Sequence, residues 1–249
     1  MVEFSVVIPA RYASERLPGK PLRDIAGAPM IEHVWRRAVD SGADEVVIAT
    51  DDARIADAAE AFGAGVCMTS TEHRSGTDRI AETADRMNWP DDRIVVNLQG
   101  DEPAMPPTLI SQCAALVDDI TTDVSTLASP LEGPRELADP NVVKTLVDAD
   151  GFAIYFSRAS LPFSRHRDTD RLAFETALHH HGIYGYSCAV LRRLVATEPP
   201  ALERCERLEQ LRALHLGLRI RVGIPDERPG PGVDTEADLE RIRKLLAAG

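Results

Sequence analysis

Along the first half of the chain, apolar and polar positions switch between two periods. Short apolar runs at residues 5–8, 45–49 and 94–98 predict strands, and residues 29–39, 53–61 and 77–87 carry the three-to-four-residue spacing of amphipathic helices. Strands separated by helices need crossover connections, so the sheet is expected to be mostly parallel. Residues 106–118 predict a further helix, with Pro106 and Pro107 in its first turn, where a missing N–H does no harm. Beyond it the pattern changes. Runs at 124–128, 142–147 and 152–156 are closely spaced, and Asp148-Ala149-Asp150-Gly151 predicts a hairpin turn. Residues of about 124–190 are therefore expected as an antiparallel insertion within one α/β domain spanning residues 1–249. Residues 203–216 predict a single amphipathic helix, with Leu208, Leu211 and Leu214 on one stripe and Gly217 as its stop. A strand at 219–223, a Pro/Gly loop and a helix at 236–247 complete the pattern.

Composition narrows the class. With 44% hydrophobic and 27% charged residues among 249, the chain is too apolar and too mixed in charge for disorder. No apolar run is long enough to cross a bilayer, and neither a basic leader nor a cleavage site follows Met1. A cytoplasmic protein without membrane contact, its mature sequence beginning at or near Met1, is the expectation. Cys67, Cys113, Cys188 and Cys205 are far apart, lack metal spacing and are expected to be reduced. A net charge of −12 argues against long nucleic acids, whose nonspecific affinity comes from lysine and arginine. Small phosphorylated substrates remain open if cations gather locally.

Such a gathering follows the first predicted strand, in Pro9-Ala10-Arg11-Tyr12-Ala13-Ser14-Glu15-Arg16-Leu17-Pro18-Gly19-Lys20-Pro21-Leu22. In an open α/β sheet this loop faces the ligand crevice, so Arg11, Arg16 and Lys20 would converge there and could hold a triphosphate. A lone cation is ordinarily just solvated; the position after a strand and the stiffening prolines favour binding. Neither G-x-G-x-x-G nor G-x-x-x-x-G-K-[ST] is present, which argues against a nicotinamide oxidoreductase and a P-loop. Gln99-Gly100-Asp101-Glu102-Pro103 leaves another strand, where a carboxylate beside phosphates suits Mg2+. Gly230-Pro231-Gly232-Val233-Asp234-Thr235 offers a second carboxylate, although Asp234 could equally be a turn residue and Thr235 with Asp238 a capping box. His73-Arg74-Ser75-Gly76-Thr77-Asp78-Arg79, taken alone, could be only a helix start capped by Ser75 or Thr77.

These segments, together with Tyr155-Phe156-Ser157-Arg158, His180-His181-Gly182-Ile183-Tyr184-Gly185-Tyr186 and Glu206-Arg207-Leu208-Glu209-Gln210-Leu211-Arg212, resemble in order the motifs of the CMP-Kdo synthetase (3-deoxy-manno-octulosonate cytidylyltransferase) family. The resemblance runs from Val7 to Leu239. It implies an α/β nucleotidyltransferase fold whose antiparallel insertion helps bind sugar and forms a homodimer. It also implies transfer of CMP from CTP to 3-deoxy-D-manno-octulosonate (Kdo) with release of pyrophosphate, for lipopolysaccharide synthesis. The attack would be direct and in line on the α-phosphorus, assisted by Mg2+. By the same resemblance Arg11, Arg16, Lys20 and Asp101 carry catalysis, while Ala10, Ser14, Ser75 and Arg79 join the three cations on the nucleotide. Ser75 and Arg79 would read cytosine. Asp101 and Asp234 would ligate magnesium, with Glu102 structural or behind them. Gln99, Arg158, Arg165, His180, Tyr184, Glu209 and Gln210 would take the sugar acid, arginine because its fork pairs with carboxylates. His179 and His181 are expected as surface or spacer residues. Adjacent histidines cannot all face one ion, so zinc is not expected. Two positions depart from the family pattern: Ser187, where arginine is usual, and Arg207, where an apolar residue is common. A different acceptor acid (8-amino-Kdo or a sialic acid) keeps the chemistry. A non-catalytic nucleotide-binding protein would not need Lys20 and both aspartates together.

Overall fold

A computed structural model describes residues 2–13, 16–73 and 75–247. The first apolar run forms β1 (Phe4–Ala10), followed by a helical turn at Lys20–Leu22 and two two-residue strands, β2 (Asp24–Ile25) and β3 (Ala28–Pro29). Next come α1 (Met30–Asp40), β4 (Glu45–Thr50), α2 (Ala53–Ala61), β5 (Gly65–Met68), α3 (Gly76–Arg86), β6 (Ile94–Asn97) and α4 (Pro107–Val117). After these lie β7 (Val124–Pro130), α5 (Pro134–Ala138), β8 (Lys144–Val147), β9 (Ala153–Ser157), α6 (Asp170–Thr176) and β10 (Leu178–Ser187). The chain ends through α7 (Cys188–Val195), α8 (Ala201–Glu206), α9 (Gln210–His215), β11 (Ile220–Gly223) and α10 (Glu236–Ala247). The pattern did not predict β5, whose four residues are too few to show a period, nor β10, whose histidines and glycines carry little apolar alternation.

Among the described residues nine strands form one sheet, ordered β11-β7-β10-β6-β1-β4-β5, with the β8–β9 hairpin attached to β10 through β8. β1 is parallel to β4 and β6, β4 to β5, and β11 to β7. Only β10 runs against both its neighbours in that row, β6 and β7. The sheet is thus mostly parallel, as the alternation predicts. Residues 124–190 do pair antiparallel, yet they do not stand apart from the sheet: β7 and β10 are interior strands, and the β8–β9 hairpin alone extends beyond them. Successive strand residues feed opposite faces. Val6 and Ile8 pack with Ile31, Ile55 and Leu109 on one face, and Val7 packs with Ile80, Leu191 and Leu211 on the other. A third, smaller cluster joins Leu17 and Ile25 near the N-terminus to Val233, Leu239 and Ile242 near the C-terminus.

The single helix expected over 203–216 is corrected to two, α8 and α9. Arg207 adopts a left-handed conformation (φ 53°) that ends α8, and its N–H closes on the carbonyl of Glu203 at 2.7 Å. The buried Arg212 guanidinium locks the break by donating to both carboxylate oxygens of buried Glu203, at 2.8 and 2.5 Å. Leu208 and Leu211 are buried and Leu214 packs beside them, so the apolar stripe survives the interruption. Gly217 is at φ 71° just after α9, as a stop requires. Ser187 caps α7 by accepting from the Val190 N–H at 3.3 Å, which gives that departure from the family pattern a structural use.

At Gly185, on β10, the sheet packs tightly against β7 and α4. A Cβ there would lie 2.5 Å from Ser125 Oγ and 2.9 Å from Val117 Cγ2. Gly185→Ala is expected to destabilise the protein by about 1–3 kcal/mol through overpacking, read as a lowered urea midpoint at unchanged slope.

Candidate active site

Because β1, β4, β5 and β6 are parallel, the loops leaving their carboxyl ends gather at one edge of the sheet. They enclose a cavity of about 1030 Å³, walled by Ala10, Arg11, Arg16 and Lys20 after β1, by Ser75, Gly76 and Arg79 at the start of α3, and by Gln99 and Asp101 after β6. The expected phosphate cations therefore meet in one place; Ser14 lies outside the described residues. Gly19, at φ 66°, turns the chain into the Lys20 helical turn and sits against the Tyr12 ring, where a Cβ would come within 3.2 Å. The Arg54 guanidinium stacks 3.3 Å from the centre of that ring on its way to the Asp52 carboxylate.

The two distant aspartates also meet here. The C-terminal glycine turn is zipped onto the loop after β6: the Val233 N–H donates to the Asp101 carbonyl at 2.9 Å, and Gly230 N–H to the Ala104 carbonyl at 3.2 Å. A Cβ at Gly230 would be 2.4 Å from Ala104 Cβ, so only glycine permits the approach there, and one at Gly232 would lie 2.9 Å from Glu102 Oε1 and displace that side chain. Lys20 Nζ donates to Asp101 Oδ2 at 2.6 Å, Asp234 Oδ1 at 3.1 Å and the Val233 carbonyl at 3.0 Å. Arg16 reaches the other oxygen of Asp234 at 3.1 Å. Burial works against the Lys20 charge, but the two carboxylates outweigh it and raise its pKa. Glu102 is pushed well above the usual carboxylate range by burial and then by Asp101 and Asp234. The capping box read from the sequence exists beside these contacts: Asp238 accepts from the Thr235 N–H at 3.0 Å, and Thr235 Oγ1 accepts from the Asp238 N–H at 3.3 Å. Capping and pairing with Lys20 are thus compatible, because Thr235 does the first and Asp234 the second.

Ser75 is likewise a cap as well as a wall residue. Its Oγ accepts from the Asp78 N–H at 3.1 Å, and its own N–H donates to Asp78 at 3.2 Å. This places the N-terminus of α3, with its partial positive charge, at the cavity. Arg79 is buried, held by Asp51 at 2.7 Å and by the Thr69 hydroxyl. Asp51 and Thr69 were missed from sequence, although each directly follows a strand end, β4 or β5. Beside them His73 Nε2 meets Glu82 at 2.5 Å, and Glu82 also accepts from the Ser70 N–H and from Arg86.

A second cavity, of about 460 Å³, adjoins the first along Gln99, Asp101, Arg207 and Glu209 and continues to Arg158, His180, Tyr184 and Gln210. His180 Nε2 lies 2.9 Å from Tyr184 Oη and 3.1 Å from Thr126 Oγ1, and burial drives its pKa down to about 3, with His181 and His179 adding to the fall. The expectation that His181 is a surface or spacer residue is corrected: it is buried and paired with Ser129 Oγ at 2.8 Å. Desolvation also raises the Glu209 carboxyl, against the hydrogen bond it accepts from Thr77. Arg158 lines this cavity, but its guanidinium donates to the carbonyls of Glu206 and Pro140 at 2.9 and 3.0 Å. Lys144, buried and unforeseen, donates to the carbonyls of Asp139, Val142 and Arg158 at 2.7, 2.6 and 2.7 Å, tying the same loop together. Arg165 is exposed and lines neither cavity.

The profile of the cytidylyltransferase family matches residues 5–220. The chain belongs to that family. It is 52% identical over 250 residues to a 3-deoxy-manno-octulosonate cytidylyltransferase of Thioalkalivibrio sulfidiphilus, covering 99% of this chain and all of that one. It is 50% identical over 250 residues to one from Actinobacillus pleuropneumoniae, with the same coverage. Among solved structures, CMP:2-keto-3-deoxy-manno-octonic acid synthetase complexed with CTP superposes over 99% of both chains, with TM-score 0.91 and 42% identity. A cytidylyltransferase from Leptospira borgpetersenii, 17% identical, covers all of this chain and 88% of its own with TM-score 0.65 and shares the fold alone.

The Glu82 cluster beside the larger cavity yields a pH signature. Burial raises its pKa, but the hydrogen bonds from Ser70, His73 and Arg86 prevail and bring it to about 2, below its ordinary 4.5. A depressed carboxylate stabilises the fold above its unfolded pKa and loses that contribution as pH falls through the folded one. The stability gap between wild type and Glu82→Gln is therefore expected to be full above pH 4.5 and to shrink toward pH 2, as urea unfolding at stepped pH would measure.

Proposed function

We propose that the protein transfers CMP from CTP to Kdo, giving CMP-Kdo and pyrophosphate for lipopolysaccharide synthesis. The carrying observation is the meeting of Lys20, Asp101 and Asp234 at the boundary between a cation-lined cavity and a smaller polar one. Identity of 52% and 50% across full length to proteins named for this activity, and likeness to a CTP-bound relative, support the same reading.

In this mechanism Arg11, Arg16 and Lys20 hold the triphosphate and offset the charge that develops during transfer. Arg79, fixed by Asp51 and Thr69, and Ser75 at the α3 N-terminus face the base. The acceptor lies in the second cavity against Gln99, His180, Tyr184, Glu209 and Gln210, with its anomeric hydroxyl directed at the α-phosphorus. The new O–P bond forms as the hydroxyl gives up its proton to solvent and the bond to the bridging oxygen breaks, and pyrophosphate carries away that electron pair. Asp101 and Asp234 would hold Mg2+. Two carboxylates converging within 3.1 Å of a single ammonium are a hard-oxygen donor set that fits this ion. When bound, Mg2+ supplies charge neutralisation at the phosphates. Arg165, which lines neither cavity, has only the family resemblance for a sugar role.

The setting follows from the substrates and the thiols. Cys67, Cys113 and Cys188 are buried and free and Cys205 is exposed and free, which suits a reducing cytoplasm. No described helix is long and apolar enough to cross a membrane. A homodimer formed through residues 124–190 is part of the proposal; Ile154, Phe163 and Leu172 stand exposed on that segment.

Asp101→Asn and Asp234→Asn are each expected to lower kcat by about 10²-fold or more while the fold is retained. Pyrophosphate release with CTP, Mg2+ and Kdo measures this, and an undiminished rate in both variants refutes the assignment.

A further inference from the structure

Among the described residues, four buried side-chain polar atoms have no hydrogen-bond partner: Asn97 Oδ1, Thr122 Oγ1, Tyr186 Oη and Gln210 Nε2. Three of the four line the same place, the smaller cavity. Asn97 and Tyr186 are each 3% exposed and Gln210 8%, so bulk water does not serve them freely. Buried polar groups are nearly always paired, and a cluster of unpaired ones in a cavity wall marks positions where a ligand completes the pairing.

The sheet explains why they cluster. Asn97, the last residue of β6, is in register with Tyr184 on β10, and Tyr186 follows two residues later on the same face. Gln210 opens α9 directly after the break at Arg207 and closes the cavity from the helical side. Asn97 lies near enough to favour ionisation of the Tyr186 phenol, against the larger opposing effect of burial, yet no hydrogen bond of normal geometry joins Asn97 Oδ1 or Tyr186 Oη to a protein group.

The chemistry of the three atoms selects a ligand group. Oδ1 only accepts, Nε2 only donates, and the phenol does either. A hydroxyl, which donates and accepts at once, matches that set, whereas a carboxylate would face Oδ1 and the nearby Glu209 unfavourably. We infer that Asn97 and Tyr186, with Gln210, form the floor of the acceptor subsite and select the hydroxylated chain of the sugar acid. This rests on the second cavity being the acceptor site, as proposed above, and adds two residues that the sequence did not single out.

Two variants of similar shape test it, Tyr186→Phe and Asn97→Leu. Removing a hydroxyl or amide that has no partner in the free protein is expected to leave its melting temperature unchanged or higher. The KM for Kdo is expected to rise roughly tenfold or more in each, while CTP affinity by calorimetry stays as in wild type. Unchanged KM in both variants overturns the inference, as does a lowered melting temperature in both, which would mean the groups are already paired without substrate. If the wild type turns over no Kdo, the broader reading fails and this subsite with it. An active wild type with indifferent variants sinks the subsite alone.

Discussion

The structure depends on one charge meeting. The ammonium of Lys20, near the N-terminus, sits between the carboxylates of Asp101, mid-chain, and Asp234, near the C-terminus. Bringing like charges together is unfavourable unless a cation separates them; neighbouring Glu102, raised first by burial, is raised further by both aspartates and lowered by Lys20. Much of the local architecture serves to make this approach possible: glycines at 230 and 232, the Val233–Asp101 backbone bond, and the small apolar cluster from Leu17 to Ile242. The cluster matters because it fastens the first loop and the last helix to each other without using a polar group.

A second constraint is the reversed strand. Inserting β10 against the direction of β6 and β7 brings the start of β10, with His180 and Tyr184, to the edge where the parallel strands end. One cavity is consequently built from loops and helix starts, which suit phosphates. Its neighbour is built from strand faces and the start of α9, which suit a fixed pattern of hydroxyl contacts. The break between α8 and α9 belongs to the same arrangement. A continuous helix would carry Arg207, Glu209 and Gln210 around the helix axis; the left-handed residue lets all three line the second cavity, with Arg207 and Glu209 on its seam with the first.

Several polar groups work in two capacities. Ser75 caps α3 and borders the larger cavity, and the turn around Asp234 caps α10 while Asp234 pairs with Lys20. Buried Lys144 satisfies three carbonyls around the loop that carries Arg158, so an ammonium bonded to backbone oxygens braces the cavity wall. Such economy keeps the number of unsatisfied groups small and makes their concentration in one cavity informative.

Local chemistry was legible in the sequence: the alternation that builds a parallel sheet, the cation-rich first loop, a cap at Ser75 or Thr77, the Thr235 capping box, and the stop at Gly217. Each is decided by residues close along the chain, whose propensities and hydrogen bonds need no distant partner. Family motifs extended that reach to Asp101 and Asp234, which spacing alone could not connect. Only the tertiary structure decided that β7 and β10 enter the main sheet, that the predicted helix over 203–216 breaks at Arg207, and that His181 is buried. It also decided that Arg79 is held by Asp51 and Thr69, and that Arg165 lies away from both cavities. Those outcomes turn on burial and on pairing between side chains beyond the next turn or strand residue, from Arg212 with Glu203 to His181 with Ser129, which override the local preference of the chain.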